Sequence, residues 1–305
     1  MKPSASSVGR RAFLAGATAA FGGLAGCTGV LSSAGGEERV SILAAGSLTH
    51  ALENGLRPLV ERPLAIEAHG SAQVARLVAS GQKDPDVVSL ADVALFDDPL
   101  RPDWYAEFAT NSVVVAYNPD TGGGQRVADA GTAGWYRPLL DDDVSLGRTD
   151  PDLDPLGYRT LFVLDLATGY YDTDVDLRAT IPSRDQLYPE TQLVSQFETG
   201  AIDAAVTYRN MATERDYDFV ELPPEVDLSD PAFADRYART SYELPGGKVV
   251  TGGPISYGST VRNRSPAVVD VFDEHVTGQY LDEFGFVVPD EYPRYTGDVP
   301  ETIPN

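Results

Sequence analysis

Cysteine is almost absent from this chain. The 305 residues hold a single one, Cys27, so no intrachain disulfide can form and a cysteine-based zinc site is ruled out. Histidine is nearly as scarce: His50, His69 and His275 show no metal-ligand spacing to one another. Lysine occurs only as Lys2, Lys83 and Lys248, and no basic cluster exists that could neutralise a phosphate backbone. That argues against nucleic-acid binding. There is no Gly-x-Ser-x-Gly elbow and no glycine loop ending in a lysine to cradle a phosphate. No apolar run is long enough to serve as a membrane-spanning helix.

What is abundant is acid. There are 46 acidic residues against 23 basic ones, giving a net charge of −23. The acid is spread along the chain rather than gathered in one tail, which fits a solvated surface in a high-salt habitat, where screening shortens the range of self-repulsion. The first residues form a targeting segment. Arg10-Arg11 precedes small and apolar residues up to Gly26, the layout of an export signal of twin-arginine type. Leu24-Ala25-Gly26-Cys27 resembles a lipoprotein processing box, and an anchor explains both the position and the uniqueness of Cys27. Residues 1–27 are therefore expected to be the export signal with its lipidation site, and 28–38 a flexible tether. Roughly 275 residues remain, enough for two lobes of ordinary size.

Strand and helix alternate after the tether. Val40–Ala45, Leu64–Ala68 and Asp86–Leu90 read as strands, with helices expected over Leu48–Val60 and Ala72–Ala79. This is the pattern of a parallel sheet covered by helices. Ser112–Tyr117 is a β-branched strand running into Thr121-Gly122-Gly123-Gly124, as if leaving one unit for another. A second unit follows, with strands at Val144–Gly147, Ala201–Tyr208 and Phe219–Leu222 and helices at Tyr158–Thr168 and Gln192–Thr199. Lys248–Thr251 and Ile255–Ser259 read as strands returning to the first unit, and Pro266–Phe284 as a final amphipathic helix. The expected organisation is a first lobe of residues 39–116 plus 245–295 and a second of 117–244. Crossing strands between such lobes make a hinge, with a ligand cleft at the strand C-terminal ends.

Two junctions share one design. Gly46-Ser47 and Gly70-Ser71 each put a glycine and then a serine where a strand gives way to a helix. Glycine allows close approach to the backbone, and serine adds a hydroxyl to the outward-facing amides of a helix start. Plain capping would explain one such junction; two on adjacent parallel strands favour an oxyanion site. In Gly147-Arg148-Thr149-Asp150-Pro151-Asp152-Leu153-Asp154-Pro155-Leu156-Gly157-Tyr158-Arg159, Asp154-Pro155 reads as a helix cap. A carboxylate beside an anion site also makes sense if the anion has a metal centre able to accept further oxygens. Arg209 has two readings, as positive potential at a cleft edge or as one half of a surface ion pair. Ser47 and His50 leave open a secreted serine hydrolase, although such a pair needs an orienting acid and a donor pocket.

The ordered series "AAGSL", "GSAQVARLVASGQKDPDVVSLAD", "FATNSVVVAYNP", "GRTDPDLDPLGYR", "AIDAAVTYRNMA" and "FVELPPEVDL" covers nearly the whole mature chain. It resembles the archaeal molybdate/tungstate-binding proteins that serve ABC transporters. The resemblance implies an α/β, two-lobed periplasmic-binding-protein fold (type II). It implies no enzymatic activity and no resident cofactor, a molybdate or tungstate ligand, an ABC permease as partner, and a lipid-anchored monomer outside the membrane. By position, Ser47 and Ser71 would be first-lobe donors, Asp154 a carboxylate on the metal, and Pro155, Gly157 and Tyr158 a donating backbone. Many relatives in this resemblance carry an acid at the position of Thr207; here a neutral hydroxyl takes its place. Either Glu225 supplies the second metal-directed carboxylate, or fewer carboxylates hold the anion. Sulfate or phosphate remains the alternative ligand.

Overall fold

The structure is a computed structural model that describes residues 38–152, 155–183, 186–245, 247 and 249–304. Cys27, the export segment and Asp154 lie outside the described residues. In chain order the strands are β1 (Val40–Ala45), β2 (Leu64–His69), β3 (Val87–Leu90), β4 (Trp104–Asn111), β5 (Val113–Tyr117), β6 (Leu146–Gly147), β7 (Ala204–Tyr208), β8 (Phe219–Val220), β9 (Ser241–Glu243), β10 (Val249–Thr251), β11 (Ile255–Val261) and β12 (Arg294–Gly297).

Two main sheets form. The first has six strands in the order β12-β4-β11-β3-β1-β2, and the second has four in the order β6-β7-β5-β8. In the first, β1 runs parallel to both β2 and β3, as strand–helix alternation requires. β11 lies antiparallel between β3 and β4, because the chain re-enters this sheet from the other lobe. β1 is apolar at every position except Ser41, as befits a strand buried on both faces.

Each sheet fastens its parallel strands with the same clip. The backbone N–H and hydroxyl of Ser41, in β1, both donate to Asp86 Oδ2, at 2.8 and 2.7 Å. The Asp86 N–H returns a bond to the Ser41 hydroxyl at 3.0 Å, just before β3. In the second sheet Ser145 and Asp203, just before β6 and β7, repeat the pattern at 2.7, 2.6 and 2.9 Å. Burial alone would raise both carboxyls, but the serine hydrogen bonds hold each below its ordinary value. The clips pin the strand N-terminal ends. The C-terminal ends of β1, β2, β3, β6 and β7 are left for other work.

The lobes are joined at two crossings. Only Ser112 separates β4 from β5, so one near-continuous extended run serves both sheets. In the return crossing, Asp227 O accepts from the Val113 N–H and Leu228 O from the Ile255 N–H, each at 2.9 Å. The Asp227 carboxyl is 8% exposed; burial pushes it up to about 7, against the opposing Ser229 hydrogen bonds.

Three expectations need correction. β10 does not return to the first sheet; it pairs antiparallel with β9 in a separate hairpin. The expected helix Pro266–Phe284 stops at Thr277, where Gly278 turns extended, and resumes as Tyr280–Glu283. The glycine run does not merely link units. Gly122–Gly134 is helical on both sides of a kink at Gly131, with the Thr121 hydroxyl accepting from the Gly124 N–H at 3.0 Å.

Candidate functional site

β1 and β2 are paired in register, Ala45 opposite His69. The two glycine-serine junctions therefore leave the sheet side by side. Neither glycine is demanded by the protein itself. A Cβ on Gly70 would meet nothing within 4 Å, one on Gly46 only the His69 carbonyl at 3.8 Å, and neither residue has a positive φ. Neither serine hydroxyl caps its helix. Ser47 Oγ instead shares a 3.1 Å hydrogen bond with the Tyr257 hydroxyl, and Ser71 Oγ accepts from the Ala91 N–H at 3.0 Å. The capping explanation is thereby removed. What remains is open backbone next to positioned hydroxyls.

The hydroxyls belong to a wider network. Asn111, the last residue of β4, donates to the Tyr257 hydroxyl at 3.2 Å and to Asn210 Oδ1 at 2.7 Å. Asn210, just past β7 in the other lobe, donates to the Ser47 carbonyl at 3.1 Å. Ser47, Tyr257, Asn111 and Asn210 thus close a ring across the lobe boundary. Such a satisfied buried ring fixes where Ser47 stands.

The second lobe contributes a cation that sequence reasoning passed over. Arg159, in the first turns of the Pro155–Tyr170 helix, donates to the Tyr208 hydroxyl at 2.6 Å and lies 5.7 Å from the centre of that ring. Burial would depress it, but the Tyr208 and Tyr158 phenols and the Asp92 carboxylate hold it above the ordinary arginine range. It stays charged. Burial raises the Tyr257 phenol, opposed by its hydrogen bonds to Ser47 and Asn111 and, less, by the Arg159 charge. Tyr257 is the partner of Ser47, and Asp92 follows Ala91, the partner of Ser71. The Arg159 charge is thus felt at Tyr257 and Asp92, each next to a serine junction. Its "GYR" setting reads only as a helix start, and the signal for its role is tertiary.

The other expected residues are placed as follows. Pro155, Gly157 and Tyr158 form the first turn of the same helix as Arg159, beside that cation. Thr207 is 8% exposed, and its hydroxyl turns to the Met211 sulfur at 3.9 Å, away from Tyr208 on the alternate face of β7. The structure does not bring Glu225 to the junctions. Its charge acts on the phenols of Tyr171 and Tyr237. Tyr171 lies beyond the far end of the 16-residue Pro155–Tyr170 helix, about 24 Å from Pro155. Arg209 pairs with Glu221 at 3.2 Å and Asp282 at 3.8 Å, an outer ion pair. His50 turns to Asn54 at 3.1 Å and to Glu214 at 3.9 Å, leaving Ser47 to Tyr257; the described residues contain no Ser-His pair here. His275 is fully buried between Ser89 and Tyr280, and burial lowers it to about 3. Among the described residues no group of three metal-ligating side chains gathers.

The model of the family described as bacterial extracellular solute-binding proteins matches residues 41–268. The chain belongs to that family. This solute-binding protein is 53% identical, over 96% of both chains, to a Haloferax volcanii protein named for molybdenum binding in an ABC transporter. It is 30% identical to the molybdate/tungstate-binding protein WtpA of Thermococcus kodakarensis, with 75% of each chain covered. Its fold matches the periplasmic molybdate-binding protein of Azotobacter vinelandii with a TM-score of 0.51 at 13% identity, over 82% of this chain and all of that one. The fold is the two-lobed periplasmic-binding-protein fold.

Proposed function

We propose that this solute-binding protein captures molybdate or tungstate outside the membrane and delivers it to an ABC permease. The observation that carries the reading is the pair of in-register glycine-serine junctions, open to close approach, with the Arg159 charge felt at Tyr257 and Asp92 beside them. A tetrahedral dianion needs donors converging from several directions and a fixed positive charge. Ser47 and Ser71 supply hydroxyls and helix-start amides, and the Pro155 helix start and Arg159 supply the other side. In a chain of net charge −23, this local field is what draws an anion in. Asp154, which precedes Pro155 in the sequence, adds oxygen to the metal centre; this rejects sulfate and phosphate, whose central atoms do not expand in that way. Relatives named for molybdenum, molybdate and tungstate support the choice of ligand. Thr207 and Glu225 stand outside this grip.

In the same reading Cys27 carries a lipid anchor after twin-arginine export, and residues 28–38 tether the lobes to the membrane. The lobes, 39–116 plus 245–295 and 117–244, close on the anion as a monomer with no resident cofactor. The acidic surface suits high salt. A thermal-shift panel of molybdate, tungstate, sulfate and phosphate in high salt tests the proposal. Molybdate and tungstate should raise the melting temperature, and sulfate and phosphate should not. Equal shifts with sulfate would overturn the metallate assignment. Asp154→Ala should weaken both metallates more than it alters folding.

A further inference from the structure

Thr149 is strung between two helix starts. On one side, the Arg148 N–H donates to the Gln186 carbonyl at 2.9 Å and the Tyr188 N–H to the Arg148 carbonyl at 3.0 Å. Two residues past Tyr188 begins the Glu190–Glu198 helix, whose N-cap residue, Pro189, offers no side-chain cap. On the other side, Asp150 packs against the first turn of the Pro155–Tyr170 helix. A Cβ on Gly157 would stand 2.5 Å from the Asp150 carbonyl carbon. The parallel pairing of β6 with β7 puts this loop at the same sheet edge as Tyr208, the partner of Arg159.

The Thr149 hydroxyl is an anomaly. It is 1% exposed and has no hydrogen-bond partner among the described residues. The comparably buried Thr110, Thr160, Thr240 and Thr260 each donate to a backbone carbonyl. Leaving a buried hydroxyl unpaired costs the full desolvation of that group. Its neighbour repeats the anomaly. Arg148 is 5% exposed, its Nη1 has no partner, and no carboxylate among the described residues pairs with it. Burial lowers its pKa, with Asp150 opposing. Two adjacent buried donors without partners, beside two helix starts, are free to meet an acceptor from outside the protein.

We propose that Thr149 Oγ1 is a second-lobe donor to the bound oxyanion, with Arg148 as fixed positive charge behind it. The inference rests on the metallate reading and extends it to residues outside the serine junctions and Arg159. The test is calorimetric titration of wild type, Thr149→Val, Thr149→Ser and Thr160→Val with sodium molybdate and sodium tungstate in high salt. Thr149→Val should bind both anions roughly 10- to 100-fold more weakly, while the melting temperature of the ligand-free protein holds or rises, since no internal bond is lost. Thr149→Ser should keep wild-type affinity. Thr160→Val, which loses an internal bond to the Leu156 carbonyl, should lower the melting temperature and leave affinity unchanged. Wild-type affinity in Thr149→Val, with wild type itself binding, overturns this inference alone. If wild type binds neither anion, the metallate reading falls and takes the inference with it.

Discussion

The two lobes begin alike and end differently. Each pins the N-terminal ends of its adjacent parallel strands with a reciprocal serine-aspartate clip, Ser41–Asp86 in one and Ser145–Asp203 in the other. At the C-terminal ends the likeness stops. The first lobe presents Ser47 and Ser71, whose hydroxyls are already positioned by Tyr257 and Ala91. The second presents Arg159 on Tyr208 and, at the same end of its sheet, Thr149 and Arg148 with donors unpaired among the described residues. In the proposed reading the shared end is scaffold and the divergent end is recognition. One lobe offers neutral, prearranged hydroxyls, and the other offers the charge. That division suits a strongly acidic protein, where a single well-placed cation decides whether an anion enters at all.

Removing the charge should break the comparison most severely. Arg159→Gln should weaken metallate binding by roughly 100-fold or more, which calorimetry would register as a loss of about 3 kcal/mol. Binding within a factor of a few of wild type would mean the cation is not opposite the serines.

The Asp227 carboxyl, at the crossing between the lobes, should give the next largest effect. Its folded value is raised to about 7, so the stability it contributes is full below the unfolded carboxylate range and is lost as pH rises through 7. Asp227→Asn should therefore gain on the order of 2–3 kcal/mol over wild type at pH 8, and little at pH 4. Denaturant melts at the two pH values would show it, and a gap that does not widen with pH would refute the assignment.

Ser47→Ala and Ser71→Ala should each weaken binding roughly 10-fold, one donor's worth. Tyr257 keeps its bond from Asn111, so Ser47→Ala should fold normally.

The clips should give the smallest and most symmetrical effect. Asp86→Asn and Asp203→Asn should each cost about 1–2 kcal/mol at neutral pH, after allowance for partial exposure. Both carboxyls sit below their ordinary values, so this stability is present above the unfolded carboxylate pKa and lost as pH falls through the folded one. The penalty of each substitution should shrink in acid, with ligand affinity unchanged. A loss of affinity from either would mean the clips reach the cleft.

Much of this was legible in the chain itself. β1 could be read to the residue, because an apolar run ends abruptly at Gly46-Ser47. The paired junctions could be placed side by side in advance, since their register needs only two adjacent parallel strands. β4 was missed: its alternation from Trp104 runs almost without a break into the stronger β5 signal. The Gly122–Gly134 helix was missed because Gly122-Gly123-Gly124 reads as a breaker. Those glycines are set by packing, since a Cβ on Gly123 would overlap the Asp203 carboxylate and one on Gly124 the Asn118 carbonyl. Arg159 and Thr149 were invisible for a different reason. An arginine in a helix and a threonine in a loop are ordinary; only their partners across the fold, or the lack of them, make them unusual.

The most direct test is to locate tungsten by anomalous scattering in crystals grown with tungstate. The expected result is one strong peak between the lobes, within hydrogen-bonding reach, through its oxygens, of Ser47, Ser71 and the Arg159–Tyr208 pair. A peak elsewhere, with both serine junctions facing only solvent, would contradict it.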